Sequence, residues 1–181
     1  MTPRAYHHGD LRRAVLAAAV EAVEETGVAA LSLRDLARRA GVSHAAPAHH
    51  FGDKAGLLTA LAAEGFNRLA ERLRSAGDDL LAAGMAYVDF AARHRAHFEV
   101  MFRPELYRAD DPEVVAARTR AGQALRARVD GLAGGDPDRD ALAAWSIAHG
   151  FASLWLAGAL PEPVGPDPAV AARPVLRRLF E

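Results

Sequence analysis

Residues 32–58 read SLRDLARRAGVSHAAPAHHFGDKAGLL, and the punctuation inside this stretch decides the fold. Ser32 precedes an apolar stripe at helical spacing (Leu33, Leu36, Ala37 and Ala40), with Arg34, Arg38 and Arg39 turned the other way. A serine there predicts an N-cap, and Asp35 three residues on is a weaker form of the capping box. Gly41 follows the last periodic residue, where glycine adopts the left-handed conformation cheaply and lets Val42 fold back onto Leu36 and Ala37. Ser43 predicts a second cap. Pro47, four residues later, forfeits at most one backbone hydrogen bond and so fits only a first turn. A helix from 44 to about 51 then sets Pro47, His50 and Phe51 on its inner side and His44, Ala45, Ala48 and His49 on its outer side. Gly52 stops this helix. Asp53 caps the next, which runs from Lys54 through Leu57, Leu58, Leu61, Phe66, Leu69 and Leu73. Two helices joined by a short glycine turn form the helix-turn-helix pattern.

Upstream, Asp10 to Glu25 reads as an amphipathic helix with Leu11, Val15, Ala18 and Ala22 in a stripe, closed by Gly27. Almost every later segment also has helical spacing, and none alternates with strand period, so the expected class is all-α. The formal charge of −1 over 181 residues excludes coating of nucleic acid by bulk charge. Residues 1–54 are slightly positive, with seven basic against six acidic residues, and hold five of the eight histidines. The absence of cysteine excludes disulfides and thiolate chemistry. The first residues carry Arg4, Asp10, Arg12 and Arg13 and no apolar core of signal-peptide type, so a cytoplasmic protein is expected.

Residues 141–160, ALAAWSIAHGFASLWLAGAL, contain no Asp, Glu, Lys or Arg and are long enough to span a bilayer. Ser146, His149, Gly150, Ser153 and Gly158 interrupt the run and no second span exists, so burial between the protein's own core and a partner subunit is the reading favoured over a membrane. Trp145, His149, Ala152 and Leu156 fall on one stripe of this helix and Ile147, Phe151, Leu154 and Gly158 on another. Asp78 to Phe102 reads as one long helical pattern in which His94 and His97, spaced i, i+3, share a face. Phe90, Phe98, Met101, Phe102 and Trp145 are candidate walls of an apolar cavity, with His94, His97 or His149 as its polar handle; plain core packing explains each aromatic equally well. A zinc site from the three histidines lacks a supporting carboxylate, and adjacent His49 and His50 point apart on a helix, so no metal and no cofactor is expected. Residues 131–138 and the proline-rich 161–168 read as loops, the second leading to a last short helix that ends at Arg177, Arg178, Leu179 and Phe180.

The stretch 32–58, preceded by YHHGDLRRAVLAAAVEAVEETG, resembles the DNA-binding domain of the TetR family of transcriptional repressors. The matching residues are Ser32, Leu36-Ala37, Ala40-Gly41-Val42-Ser43, His50-Phe51, Lys54 and Leu57-Leu58. Downstream, AAWSIAHGFASL resembles a Trp-His-Gly signature of a recurring TetR C-terminal domain, with Trp145, His149 and Gly150 in the matching places, and GMAYVDFAARHRAHFEVMFRPEL resembles the central part of that domain. The resemblance implies an all-α homodimer: a three-helix DNA-binding domain over residues 1–54, and an effector-binding and dimerisation domain over 55–181. It departs at Ala48, where most relatives carry a tyrosine that contacts the phosphate backbone.

The expected function is therefore a ligand-responsive regulator, a repressor released from an inverted-repeat operator by a small, largely apolar effector. The DNA-facing candidates are Ser43, His44, Ala45, Ala48, His49 and His50, with Arg34, Arg38 and Lys54 as phosphate contacts; the ligand candidates are the Phe90, His94, His97, Phe98, Met101, Phe102, Trp145 and His149 group. A dimer of about 39 kDa, twice 19.3 kDa, is expected to form through Leu142–Leu160 and Ala169–Phe180. Two other readings stay open. One is a helix-turn-helix interaction module without DNA binding. The other is a small helical enzyme using His94, His97 or His149, although no nucleophile–base pair or phosphate loop is readable at a catalytic spacing.

Overall fold

Several of the stops and starts read from the sequence recur in the computed structural model, which describes residues 8–129, 136–161 and 165–179. Among these residues it shows nine α-helices and no strand: α1 (His8–Thr26), α2 (Leu33–Arg39), α3 (Ala46–Phe51), α4 (Lys54–Ser75), α5 (Leu80–Arg93), α6 (Arg95–Met101), α7 (Pro112–Val129), α8 (Pro137–Leu156) and α9 (Pro168–Leu176). Short 3-10 turns cover Val28–Ala30, Pro104–Leu106 and Arg177–Leu179. The chain divides into two compact units, Met1–Glu64 with Ala96–Val115, and Gly65–Arg95 with Ala116–Glu181.

In the first unit α1, α2 and α3 pack on one another. Val15, Ala19, Ala22 and Val23 of α1 are buried with Leu36 and Ala37 of α2 and Phe51 of α3; full burial of a side chain such as Leu36 or Phe51 contributes roughly 1.5–3 kcal/mol. Arg12 lies over the Phe51 ring, 5.9 Å from its centroid, a cation–π contact that reinforces the anchor. Arg39 joins α2 to α1 through Glu25 at 2.8 Å.

The caps differ in part from expectation. Ser32 makes no side-chain cap bond. The Asp35 carboxylate, which would reach back toward it in a capping box, is instead taken by Arg38 at 2.6 Å and Arg39 at 2.7 Å, and those bonds hold its carboxyl below the usual range. The third helix begins at Ala46 rather than 44: residues 43–46 form a turn closed by Ala46 N–H donating to the Ser43 carbonyl at 3.0 Å. Asp53 does cap α4, accepting the Gly56 N–H at 2.8 Å.

In the second unit α5 packs against α8 and α9. Leu80, Val129 and Ala144 form a buried cluster flanked by Leu125 and Ala141. Arg128 secures the end of α4 by donating to the carbonyls of Leu73 at 2.8 Å and Gly77 at 3.0 Å, a side-chain version of a C-cap. α8 ends as a Schellman turn, with Gly158 at φ 64 and Ala159 N–H bonded to the Leu154 carbonyl at 3.0 Å. The single helix expected over 78–102 is broken. His94 leaves the helical region (φ −124, ψ 48) after donating its N–H to Phe90 O at 2.8 Å, and α6 starts afresh at Arg95. Histidine is a mediocre helix former, and its ring rests against Phe90 with centroids 5.1 Å apart. His94 and His97 consequently do not share one helical face. Residues 131–135 and 162–164 of the two expected loops, Phe180 at the chain's end and the side chain of Leu179 lie outside the described residues.

Candidate nucleic-acid interface and effector region

The interface is built from the turn that joins α2 to α3. Gly41 (φ 64) donates to the Arg38 carbonyl at 3.3 Å, and Val42 donates to the Ala37 carbonyl at 3.0 Å. These are the two bonds of a Schellman motif. They satisfy carbonyls that the end of α2 would otherwise leave bare, and they set the angle at which the chain enters α3. Pro47 lies in the first turn of α3, where its missing N–H costs nothing, and is buried with Phe51. The buried pair fixes the rotation of α3, which leaves Ser43, His44, Ala45, Ala48 and His49 exposed and His50 half-buried. The His49 and His50 rings meet edge-on, 5.6 Å apart, and His50 lies 6.5 Å from Phe51.

The outer face is therefore small and polar, which permits close approach to a groove. Arg34 is exposed on α2. Arg38 is also exposed and holds Asp35 by one nitrogen, Nη2, at 2.6 Å. Lys54 donates to the Ala29 carbonyl at 2.9 Å, which ties its ammonium to the 3-10 turn between α1 and α2. All nine DNA-facing candidates lie in the first unit.

The eight ligand candidates divide between the units. His97, Phe98, Met101 and Phe102 belong to the first, and Phe90, His94, Trp145 and His149 to the second. In the first, His97 is buried with Nε2 3.5 Å from Glu64 Oε1, and Phe98 packs on Phe102 with centroids 5.0 Å apart. In the second, Phe90 is fully buried, and a narrow recess with room for about one water molecule is lined by Leu80, Leu81, Ala83, Gly84, Tyr87, Leu125, Ala144, Trp145, Ala148 and Leu176. Of the four candidates in that unit, Trp145 lines the recess.

Sequence reasoning missed Tyr87. Its hydroxyl accepts from Trp145 Nε1 at 3.2 Å and lies 2.9 Å from His149 Nδ1. An indole can only donate, so the hydroxyl accepts that bond; toward Nδ1 it donates or accepts according to the imidazole tautomer, and both tautomers keep the pair uncharged. Burial pushes the Tyr87 hydroxyl's pKa up and the His149 imidazole's down, so both groups favour this neutral arrangement. The one sequence signal was a tyrosine inside an apolar run, since a buried phenol usually needs a polar partner.

Two domain descriptions match the chain: "Bacterial regulatory proteins, tetR family" over residues 15–61 and "Tetracyclin repressor-like, C-terminal domain" over 80–179. The protein belongs to the TetR family. The first match spans α1 to the start of α4 and so contains the Schellman turn and α3; the second spans α5 to the end of the described chain. The HTH-type transcriptional regulator BetI of Rhizobium meliloti (strain 1021) is 36% identical over 106 residues, covering 59% of this chain and 47% of that protein, so the match spans about half the length of that relative. A solved protein of unknown function from Rhodococcus sp. RHA1 is 37% identical, with 97% of both chains covered and a TM-score of 0.80. NalD, the secondary repressor of the MexAB-OprM multidrug efflux pump in Pseudomonas aeruginosa, is 25% identical, with 96% of both chains covered and a TM-score of 0.64. Among the described residues no helix is long and apolar enough to cross a membrane, so the uncharged run 141–160 is not read as a span.

Proposed function

We propose that this TetR-family protein is a cytoplasmic, DNA-binding transcriptional repressor that acts as a homodimer and is released from an inverted-repeat operator by a small, largely apolar effector. The observation that carries the DNA reading is the rotation of α3: Pro47 and Phe51 are buried, while His44, Ala45, Ala48 and His49 face outward. Base-edge contacts are assigned to His44, Ala45 and His49, with Ser43 and His50 flanking them, and phosphate contacts to Arg34, Arg38 and Lys54. The working division is a DNA-binding domain over 1–54 and an effector-binding, dimerising domain over 55–181. Exposed apolar side chains on α8 (Leu142, Trp145, Leu154) and α9 (Val170, Val175) support assembly through those helices.

The effector is assigned to the Phe90, His94, Trp145 and His149 group of the second unit, with His97, Phe98, Met101 and Phe102 of the first as a separate candidate group. An effector releases DNA only by binding the released conformation more tightly than the bound one. Selection from a random duplex pool, followed by gel shift at several salt concentrations, tests the DNA reading. The expected product is an inverted repeat with half-sites about one helical turn or a multiple apart, bound less tightly as salt rises. Equal affinity for every duplex would overturn it.

A further inference from the structure

The turn between α3 and α4 is held from a distant part of the chain. The Asp53 carboxylate that caps α4 through Gly56 N–H also receives Arg108, whose Nη2 straddles both oxygens at 3.0 and 2.9 Å. Arg108 is placed by its own backbone: its N–H donates to Thr59 Oγ1 at 3.0 Å, and the buried Thr59 hydroxyl donates to the Ala55 carbonyl at 2.7 Å. The preceding residue, Tyr107, is buried and donates to the Met101 carbonyl at 2.9 Å. A Cβ on Gly56 would fall 1.9 Å from the Phe51 carbonyl oxygen and 2.7 Å from Arg108 Nη1. The end of α3, the first turn of α4 and the Arg108 guanidinium therefore meet where a methyl group does not fit. All of these residues lie in the first unit.

We propose that Arg108 is a positioning residue for DNA recognition: its grip on Asp53 fixes how the chain turns from α3 into α4, and so holds the outer face of α3 in its DNA-reading orientation. This rests on the DNA-binding reading above. Both partners are exposed, so the pair adds little to global stability. Its leverage is local, because Asp53 directly follows Gly52, the positive-φ residue (φ 77) at which the chain turns.

Bulk electrostatics makes the opposite forecast for one variant. Asp53→Asn keeps a capping side chain and deletes a negative charge two residues beyond α3, which by charge alone should tighten binding to phosphates. The grip requires it to weaken binding. The test uses full-length wild type, Asp53→Asn, Arg108→Ala and Arg108→Lys. Amide hydrogen exchange is measured without DNA, and affinity is measured on a selected and a scrambled duplex at one ionic strength.

In Asp53→Asn and Arg108→Ala, exchange over residues 46–58 should rise roughly two- to fivefold while α5 and α8 stay unchanged, and affinity for the selected duplex should fall by a similar factor. Because one nitrogen makes the contact, Arg108→Lys should recover most of both effects. Unchanged exchange in a protein that binds DNA, or tighter binding by Asp53→Asn, overturns the grip alone. A wild type that binds no duplex overturns the function proposed above and the role given to Arg108 with it.

Discussion

Two helical glycines supply a matched pair of variants with opposite expected signs. Gly122, exposed on α7, has nothing within 4 Å of the place a Cβ would occupy. Alanine there contributes only its better helix propensity, about 0.8–1 kcal/mol at most. Gly56, in the first turn of α4, meets the Phe51 carbonyl oxygen at 1.9 Å and Arg108 Nη1 at 2.7 Å. The guanidinium can swing aside. The carbonyl cannot, because it belongs to the last residue of α3, and an ordinary contact requires backbone to move by more than about 1 Å. Overpacking of this kind costs about 1–3 kcal/mol, and the propensity gain offsets less of it in a first turn. Gly56→Ala should therefore end about 1–2 kcal/mol less stable than wild type, and about 2–3 kcal/mol below Gly122→Ala. With a urea slope near 2 kcal/mol/M, the midpoints of the two variants should differ by about 1 M. Circular dichroism is the suitable probe, since both tryptophans, Trp145 and Trp155, lie in the second unit and Gly56 in the first. If Gly56→Ala is as stable as Gly122→Ala, the close approach at Phe51 is wrong.

Three predictions concern protons and polar partners in the second unit. Asp89 holds Arg72 at 2.5 Å and Arg93 at 2.6 Å; burial raises its pKa but the two guanidinium bonds outweigh it, so the folded value lies below the unfolded one. That stability is present above about pH 4 and lost as pH falls through the folded value, so wild type should exceed Asp89→Asn by about 0.5–1 kcal/mol at pH 7, and the gap should shrink as the pH is lowered below about 4 in thermal melts. His149 has the opposite chemistry and the same sign of slope. Its folded value is depressed by burial, so its contribution is complete above about pH 6.5 and declines below it, by well under the one-proton limit of about 1.4 kcal/mol per pH unit because the ring is half exposed. Tyr87→Phe should cost about 1 kcal/mol at pH 7 by leaving the Trp145 N–H and His149 Nδ1 without their shared partner; a melt indistinguishable from wild type would remove the hydroxyl from the account.

The legible parts of the fold were the short-range ones. The end of α2 could be read because Gly41 and Val42 satisfy carbonyls three and five residues back, a reach that sequence spacing expresses directly. The same holds for Pro47 and for the cap that Asp53 gives to Gly56 N–H, three residues on. Asp35 failed as the reciprocal arm of a capping box because the competing arginines at 38 and 39 sit on the side of α2 that it also faces, and spacing alone does not rank those bonds. The break at His94 carried no Gly or Pro to announce it. The contacts that give the candidate sites their character are long-range: Tyr87 meets His149 across 62 residues, and Asp53 meets Arg108 across 55. Nothing in a one-dimensional period encodes such pairs, so Tyr87 and Arg108 surfaced only once the helices were packed.

The exposed alanine on α3 allows a closer test of how DNA is held. Ala48 stands one turn after His44 on the outer face, where the family resemblance places a tyrosine that touches phosphate, and a tyrosine there would displace nothing buried. Phosphate contacts fix register without reading bases, and one neutral hydrogen bond contributes about 1 kcal/mol, or roughly fivefold in affinity per half-site. Ala48→Tyr should therefore tighten operator and scrambled duplex by similar factors and leave base preference unchanged. The neighbouring histidines offer a compensating charge. A phosphate favours a charged imidazole over a neutral one, so the complex should bind more tightly at pH 6 than at pH 8. Replacing His44 and His49 together by alanine should flatten that dependence, while Ala48→Tyr should shift affinity at both pH values equally. If Ala48→Tyr instead weakens operator binding, the small side chain is there to let the backbone of α3 approach the groove, and its contribution is room rather than a missing hydrogen bond.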